Sequence, residues 1–140
     1  MILHHYFTPE SSNISSLARI TSFAQNLDGY AILAVGKKML KWYPTQQTKL
    51  LIHLSDGWPG ANGYGGQAAI NHVRNVNNVL DREGVKVIGV GIDEPFNESG
   101  GTALYGPGNF VITKGDGAYT AIANLISNTI RKTVADASYV

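Results

Sequence analysis

The stretch "KLLIHLSDGWPGANGYGGQAAINHVRNVNNVLDREGVKVIGVGID", from Lys49 to Asp93, decides the fold. It opens with a nearly continuous apolar run of strand length, which is typical of parallel sheets covered on both faces. The glycine-rich segment "WPGANGYGG" that follows predicts a loop. A helical pattern comes next, and "VKVIGVGID" then repeats the apolar character of the first strand. The order strand, loop, helix, strand predicts a unit of a parallel α/β sheet.

The helix in this stretch carries the clearest periodicity of the chain. Its apolar positions recur at intervals of four, three and four residues, at Ala69, Val73, Val76 and Leu80. This spacing predicts an amphipathic helix with one buried stripe. Gly84 follows and predicts its C-terminal stop.

The flanking segments continue the alternation of strand and helix. At the N-terminal side, "MILHHYF" predicts a short strand, and a helix is expected from Ser12 or Asn13 to near Gln25. "NLDGYAILAVGKKMLKWYP" predicts a second helix after an Asp-Gly turn, ended by Pro44. Its inward stripe comprises Ile32, Val35, Met39 and Trp42 or Leu40.

At the C-terminal side, "EPFNESGGTALYGPG" predicts a loop with one short turn, and "NFVIT" predicts the last strand. "YTAIANLISNTIRKTV" predicts a closing helix. Its inward positions are Ile122, Leu125, Ile126 and Ile130. The whole pattern predicts an α/β fold with an open, mostly parallel sheet, right-handed crossovers and helices on both faces.

Length and composition narrow the class of protein. The 140 residues suffice for one domain with one core. A net charge of +1 gives no basis for nucleic-acid binding, and no apolar run approaches the length of a membrane span. The chain has no cysteine, so it has neither disulfides nor a thiolate metal site. We expect a cytoplasmic protein.

Two acidic residues directly follow predicted strands, Asp56 and Asp93. Ligands of open α/β sheets bind outside the carboxyl ends of the strands, and Asp56 is therefore a candidate binding residue. Asp-Gly is also a common turn pair, so a purely structural role for Asp56 is the alternative.

The other polar motifs indicate no catalytic site. His4 and His5 are adjacent and point to opposite faces of a strand, so they cannot chelate one ion together. His53, inside a strand, and His72, on a helix, are interpreted as structural. The glycine-rich loop lacks the patterns of nucleotide-binding loops, and no serine lies in a Gly-x-Ser-x-Gly turn.

The stretch from Lys49 to Asp93 resembles the central part of von Willebrand factor A (vWA) domains, in which a buried strand ends in Ser-Asp-Gly. "NLDGYAILAVGKKML" resembles the second metal loop of that family, and "ALYGPGNFVITKGDGAYTAIANLI" resembles its last strand and helix. The chain looks closest to bacterial vWA proteins that work beside MoxR-type AAA+ ATPases, of the nitric-oxide-reductase activation protein and cobaltochelatase subunit type. The likeness covers roughly residues 1 to 134.

The resemblance implies a metal-ion-dependent adhesion site (MIDAS), in which Mg²⁺ or Mn²⁺ is held by oxygen ligands and a partner's carboxylate completes the shell. Such ions prefer oxygen ligands. Asp56 and Ser55 match the third loop of the family, and Asn26 and Asp28 are joint candidates for the second. For Asn26 and Asp28 the alternative is a helix cap. Trp58 and Tyr64 flank the loop and are candidate anchors for a protein partner, or pack on their own loop.

The family's first loop, Asp-x-Ser-x-Ser, occurs nowhere in this chain. "MILHHYF" matches the family's second strand, so the expectation is a partial vWA domain spanning residues 1–140 and lacking the first strand and first metal loop. In this fold that strand lies in the middle of the sheet. Exposed strand edges can pair with another copy, so a homo-oligomer is expected to be accessible.

Three classes of function stay open. The first is a noncatalytic, metal-assisted protein-binding module, which the resemblance favours. The second is a metal-independent structural remnant that self-associates. The third is an α/β enzyme that uses Asp56 or Asp93 as acid or base.

Overall fold

The structure, a computed structural model, describes residues 26–46, 49–92, 97–113 and 117–137. The elements formed within these ranges are α1 (Asp28–Trp42), β1 (Lys49–Ser55), α2 (Gly66–Arg82), β2 (Val85–Ile92), α3 (Glu98–Tyr105), β3 (Phe110–Thr113) and α4 (Ala118–Ala137). The predicted N-terminal strand and first helix, together with Asp93, lie outside the described residues.

The described strands form one parallel sheet in the order β1, β2, β3. Residues 49–55 of β1 pair with residues 85–91 of β2, and residues 89–92 of β2 pair with residues 110–113 of β3. Helices flank this sheet. The chain therefore has a small α/β, Rossmann-like fold, and the predicted parallel sheet is confirmed.

The core lies between the sheet and α2. The predicted stripe of α2 is confirmed, because Ala69, Val73, Val76 and Leu80 are all buried. Ile32 of α1 and Leu51 of β1 pack with this stripe. At Gly84 the chain turns from α2 into β2 with φ 84°, a conformation that glycine adopts without steric cost.

The described residues cover the two faces of β1 to different extents. Leu51 is 8% exposed, whereas Ile52 is 38% and Leu54 60% exposed. Successive side chains of a strand point to opposite faces, and α1 and α2 pack on the face of Leu51. Among the described residues, the face of Leu51 is thus covered more completely than the face of Ile52 and Leu54, while helices flank the sheet as a whole.

The segment predicted as a loop after β2 contains α3. The side chain of Asn97 caps this helix by accepting a hydrogen bond from the Gly100 N–H at 2.8 Å. Gly100 and Gly101, which weaken a helix by propensity, here allow Trp58 and Phe110 to pack closely against it. Tertiary packing thus outweighs local preference.

The closing helix α4 faces the sheet with a slightly different stripe from the predicted one. Ile122, Leu125 and Ile126 are half-buried, but Ile130 is 50% exposed. Thr129 is buried instead, and its hydroxyl donates to the Leu125 carbonyl at 2.8 Å. Neither α4 nor any other described helix has the length and apolar character needed to cross a membrane.

Candidate functional site

Two carboxylates meet at the carboxyl edge of the sheet. Asp56 directly follows β1 and is exposed, and Asp28 is the first residue of α1. The side chain of Asp28 is 13% exposed. The pKa of Asp28 is raised from 3.8 to about 6, mainly by burial and to a smaller extent by the negative charge of Asp56. The structure thus brings together two of the site residues that the sequence predicted.

The main chain of Asn26 joins the segment before α1 to the loop after β1. The Asn26 N–H donates to the Gly60 carbonyl at 2.9 Å, and the Gly60 N–H donates to the Asn26 carbonyl at 3.1 Å. This antiparallel bridge holds the two segments that carry Asp28 and Asp56 beside each other. Asn26 therefore has a structural role, and its predicted role as a metal ligand stays a prediction.

Tyr64 ties the same loop to two helices. Its hydroxyl oxygen accepts from the Gly29 N–H at 3.2 Å and lies 3.1 Å from Nδ1 of His72 on α2. The Tyr30 ring packs edge-on against His72, with centroids 4.5 Å apart. Burial raises the pKa of Tyr64. Because its hydroxyl points inward, Tyr64 fixes the loop as well as flanking the carboxylates.

Ser55 and Trp58 occupy the two ends of the turn after β1. The Ser55 hydroxyl donates to the Gly57 carbonyl at 2.8 Å and accepts from the Gly57 N–H at 3.3 Å, so it closes the turn that carries Asp56. Trp58 is 39% exposed, and the covered part of its ring lies against Gly100 of α3. An aromatic surface is therefore accessible close to the carboxylates.

His53 is the site residue that the sequence interpretation missed. Its Nε2 lies 3.8 Å from Oδ1 of Asp28, and its Nδ1 lies 2.6 Å from the hydroxyl oxygen of Tyr105. Burial lowers the pKa of His53 to about 4, so the ring is neutral at pH 7 and forms no ion pair with Asp28. Burial also raises the pKa of Tyr105 above its ordinary value.

The alternation of residues along β1 could have indicated that His53 lies on the buried face and needs a polar partner. Period-two alternation places His53 on the same face as Leu51, which is the buried face beneath α1. A polar ring on that face needs a hydrogen-bonding partner. The partner, Tyr105, is far along the chain, and no local pattern points to it.

A cavity of about 610 Å³ lies at the opposite end of the sheet, between the start of β2 and α4. Its lining is mostly polar and includes Lys86, Asn109 and Lys132. Asp28, His53 and Asp56 do not line it. This cavity therefore offers the carboxylate pair no enclosed substrate site.

The groups that Asp28 and Asp56 offer at the carboxyl edge of the sheet are carboxylate oxygens, which are ligands for hard metal ions. In the part of the chain that the structure describes, no group of three or more His, Cys, Asp or Glu side chains is arranged to hold a metal ion. Two carboxylates can share a proton, or they can bind one cation whose other ligands come from water or a partner.

A comparison with known protein families and with curated proteins finds no match for this chain.

Proposed function

We propose that this chain is a noncatalytic protein-binding module whose site is built on Asp28 and Asp56. The two carboxylates would hold a divalent cation, Mg²⁺ or Mn²⁺, and an acidic group of a partner protein would complete its coordination. The resemblance to vWA domains supports this arrangement. It extends the proposal to a cytoplasmic complex with a MoxR-type AAA+ ATPase.

The observation that carries the proposal is the placement of Asp28 and Asp56 on two segments that the bridge between Asn26 and Gly60 holds side by side. Burial and the charge of Asp56 both disfavour the ionised form of Asp28. A divalent cation between two carboxylates offsets both effects, because it neutralises their charge and replaces lost water. An unliganded pair of this kind is destabilising, which is expected of a site that gains a ligand.

The residues present fit such a cation with an incomplete protein shell. Carboxylate oxygens are ligands that Mg²⁺ and Mn²⁺ prefer. Asn26 and Ser55 remain predicted additional ligands, although the Ser55 hydroxyl already bonds to Gly57. With two carboxylates as the main proposed protein ligands, water and the partner would supply the rest. We therefore expect weak affinity for the cation alone and a tighter complex when the partner is present.

The aromatic residues beside the carboxylates support recognition of a protein. Tyr30 is 50% and Trp58 39% exposed, and large aromatic side chains are enriched at the centres of interfaces. Tyr64, predicted as a partner contact, bonds to the Gly29 N–H, and its ring lies beside that of Tyr30 with centroids 5.7 Å apart. A partner's carboxylate would thus meet the cation beside a rigid aromatic surface.

A second candidate function, metal-independent self-association, is favoured by the open side of β1. Among the described strands, β1 pairs with β2 alone. Ile52 and Leu54 are exposed on the face of β1 opposite Leu51. Another copy could add a strand at this edge and cover that face, as strand edges do in many assemblies.

Calorimetric titration with Mn²⁺ and Mg²⁺ tests the proposal. The samples are the unaltered chain, Asp28→Asn, Asp56→Asn and the control Asp81→Asn, which removes an exposed carboxylate paired with Lys86. We expect saturable binding by the unaltered chain and the control, and at least a tenfold loss in the two site variants.

Light scattering on the same samples separates the two candidate functions. Unaltered binding in both site variants would reject the cation site. Absence of binding in the unaltered chain, together with a mass that rises with protein concentration, would favour self-association instead.

A further inference from the structure

His53 links the candidate cation site to the interior of the protein. One ring nitrogen, Nδ1, lies 2.6 Å from the hydroxyl oxygen of Tyr105, which is a short hydrogen bond. The other, Nε2, faces Oδ1 of Asp28 at 3.8 Å. This second distance exceeds a direct hydrogen bond, and a bridging water or a small rotation of the Asp28 side chain would close it. Asp28, His53 and Tyr105 therefore form a polar chain that is hydrogen-bonded between His53 and Tyr105 and has a gap of 3.8 Å between His53 and Asp28.

The fold fixes the inner end of this chain. Gly89 of β2 is paired in register with His53 of β1. A Cβ at Gly89 would collide with the Tyr105 ring, so the ring fits across the sheet only because this residue is glycine. The Asn109 side chain donates to the Tyr105 carbonyl at 3.0 Å. Tyr105 is 5% exposed and has little freedom to move away from His53.

The contacts of the ring decide which nitrogen carries the hydrogen. A neutral imidazole has one donor and one acceptor nitrogen. If Nδ1 accepts from the Tyr105 hydroxyl, the hydrogen lies on Nε2 and points toward the Asp28 carboxylate. The opposite tautomer would direct the Nε2 lone pair at a carboxylate oxygen, which is repulsive. Both neighbours of the ring thus favour the Nε2–H tautomer.

We propose that Tyr105 and His53 are positioning residues that orient the Asp28 carboxylate toward Asp56, through Tyr105 O–H to Nδ1 and Nε2–H to the carboxylate. The inference deepens the proposed function and rests on it for its consequence, which is tighter binding of a divalent cation. Groups that hydrogen-bond to metal ligands orient them, and their removal typically weakens metal binding about 10-fold to 100-fold. Neither residue would touch the cation.

The orientation is tested first without metal. The ¹⁵N NMR spectrum of the imidazole rings is expected to show the Nε2–H tautomer for His53, and side-chain couplings are expected to show one rotamer for Asp28. In Tyr105→Phe the spectrum should shift toward a mixture of tautomers, and Asp28 should populate more than one rotamer. The His72 signal serves as an internal reference, because its Nδ1 lies beside Tyr64 and not Tyr105. An Nδ1–H tautomer in the unaltered chain would overturn the inference.

The consequence is tested by Mn²⁺ titration. Tyr105→Phe is expected to bind about tenfold more weakly than the unaltered chain. The control Tyr43→Phe, which alters a 39% exposed tyrosine after α1, should bind equally well. His53→Gln keeps an N–H near the position of Nε2 and should bind more tightly than His53→Leu.

Different results would reject the cation site and the positioning role of Tyr105 and His53. If the unaltered chain binds no Mn²⁺, the cation site is rejected, and the orienting role stands or falls by the tautomer and the Asp28 rotamer. If it binds Mn²⁺ and Tyr105→Phe binds equally well, the positioning role is rejected and the cation site remains.

Discussion

Asp28 and Asp56 reach the same edge of the sheet from different elements, and the charge of Asp56 contributes to raising the pKa of Asp28 to about 6. Asp28 begins α1, whereas Asp56 follows β1. The bridge between Asn26 and Gly60 holds the two segments together. The first turn of a helix favours a carboxylate, yet here burial and a like charge outweigh that effect.

The coupling predicts a response of Asp28 to substitution of its neighbour. In Asp56→Asn the pKa of Asp28 should fall from about 6 but stay above 3.8, because burial is the larger cause and remains. A ¹³C NMR titration of the Asp28 carboxyl measures this change. Asp81→Asn, remote from the site and paired with Lys86, should leave the titration unchanged. An unchanged pKa in Asp56→Asn would show that the two carboxylates do not interact.

Ionisation of Asp28 should lower the stability of the fold. Because its pKa is higher in the folded state than the reference 3.8, the folded protein binds the proton more tightly, and stability falls as pH rises from about 4 to about 6. Asp28→Asn should therefore be more stable at pH 7 by on the order of 1 to 3 kcal/mol. The gain should vanish near pH 3. Urea denaturation across this range measures it, and a gain that does not depend on pH would contradict the assignment to ionisation.

Titration of His53 should change the stability of the fold with pH in the opposite direction to titration of Asp28. The pKa of His53 is lowered from 6.5 to about 4 in the folded protein, so the unfolded chain takes up the proton first and stability falls as pH drops through this window. His53→Gln should lose less stability than the unaltered chain between pH 6.5 and pH 4. Equal slopes in the two proteins would mean that His53 titrates normally in the fold.

Gly89→Ala should displace the Tyr105 ring. The added Cβ would collide with the ring, and crowding of this kind in a packed interior costs about 1 to 3 kcal/mol. Gly57→Ala is the matched control, because nothing lies within 4 Å of its added Cβ. That variant should change stability by less than about 0.5 kcal/mol. Equal effects in thermal unfolding would show that the ring does not pack on Gly89.

The two faces of β1 predict different costs for the same substitution. Leu51→Ala removes a side chain that is 8% exposed and should cost about 2 to 5 kcal/mol. Leu54→Ala alters a side chain that is 60% exposed and should cost less than about 1 kcal/mol. Denaturant unfolding of both variants measures the difference. Similar costs would indicate that the face of β1 that carries Leu54 is covered in solution.

The elements with strong local patterns were predictable from the sequence. The stripe of α2 follows from helical spacing, and β1 and β2 follow from apolar runs that end before Asp56 and Asp93. The edge location of Asp56 and Asp28 followed from the topology of parallel sheets and from the resemblance. These features depend on neighbouring residues or on a general rule of the fold.

The rest of the fold and of the candidate site depends on tertiary contacts that no local sequence pattern predicts. α3 contains two adjacent glycines, and Trp58 and Phe110 from other elements pack against them. The bond between His53 and Tyr105 joins β1 to the end of α3, across an intervening strand. Such long-range contacts become visible only when the chain is folded.

The parallel register of β1 and β2 has a consequence for the order of folding. Lys49 pairs with Val85, so the strands can meet only after the whole of α2 and its preceding loop have closed between them. Closing such a length of chain costs entropy before the strand contacts repay it. Packing of α2 against the strands, which buries Val73, Val76 and Leu80, supplies contacts that offset this cost. Asp28 and Asp56 lie on different elements, so a cation or partner that needs both carboxylates binds the folded chain and stabilises it.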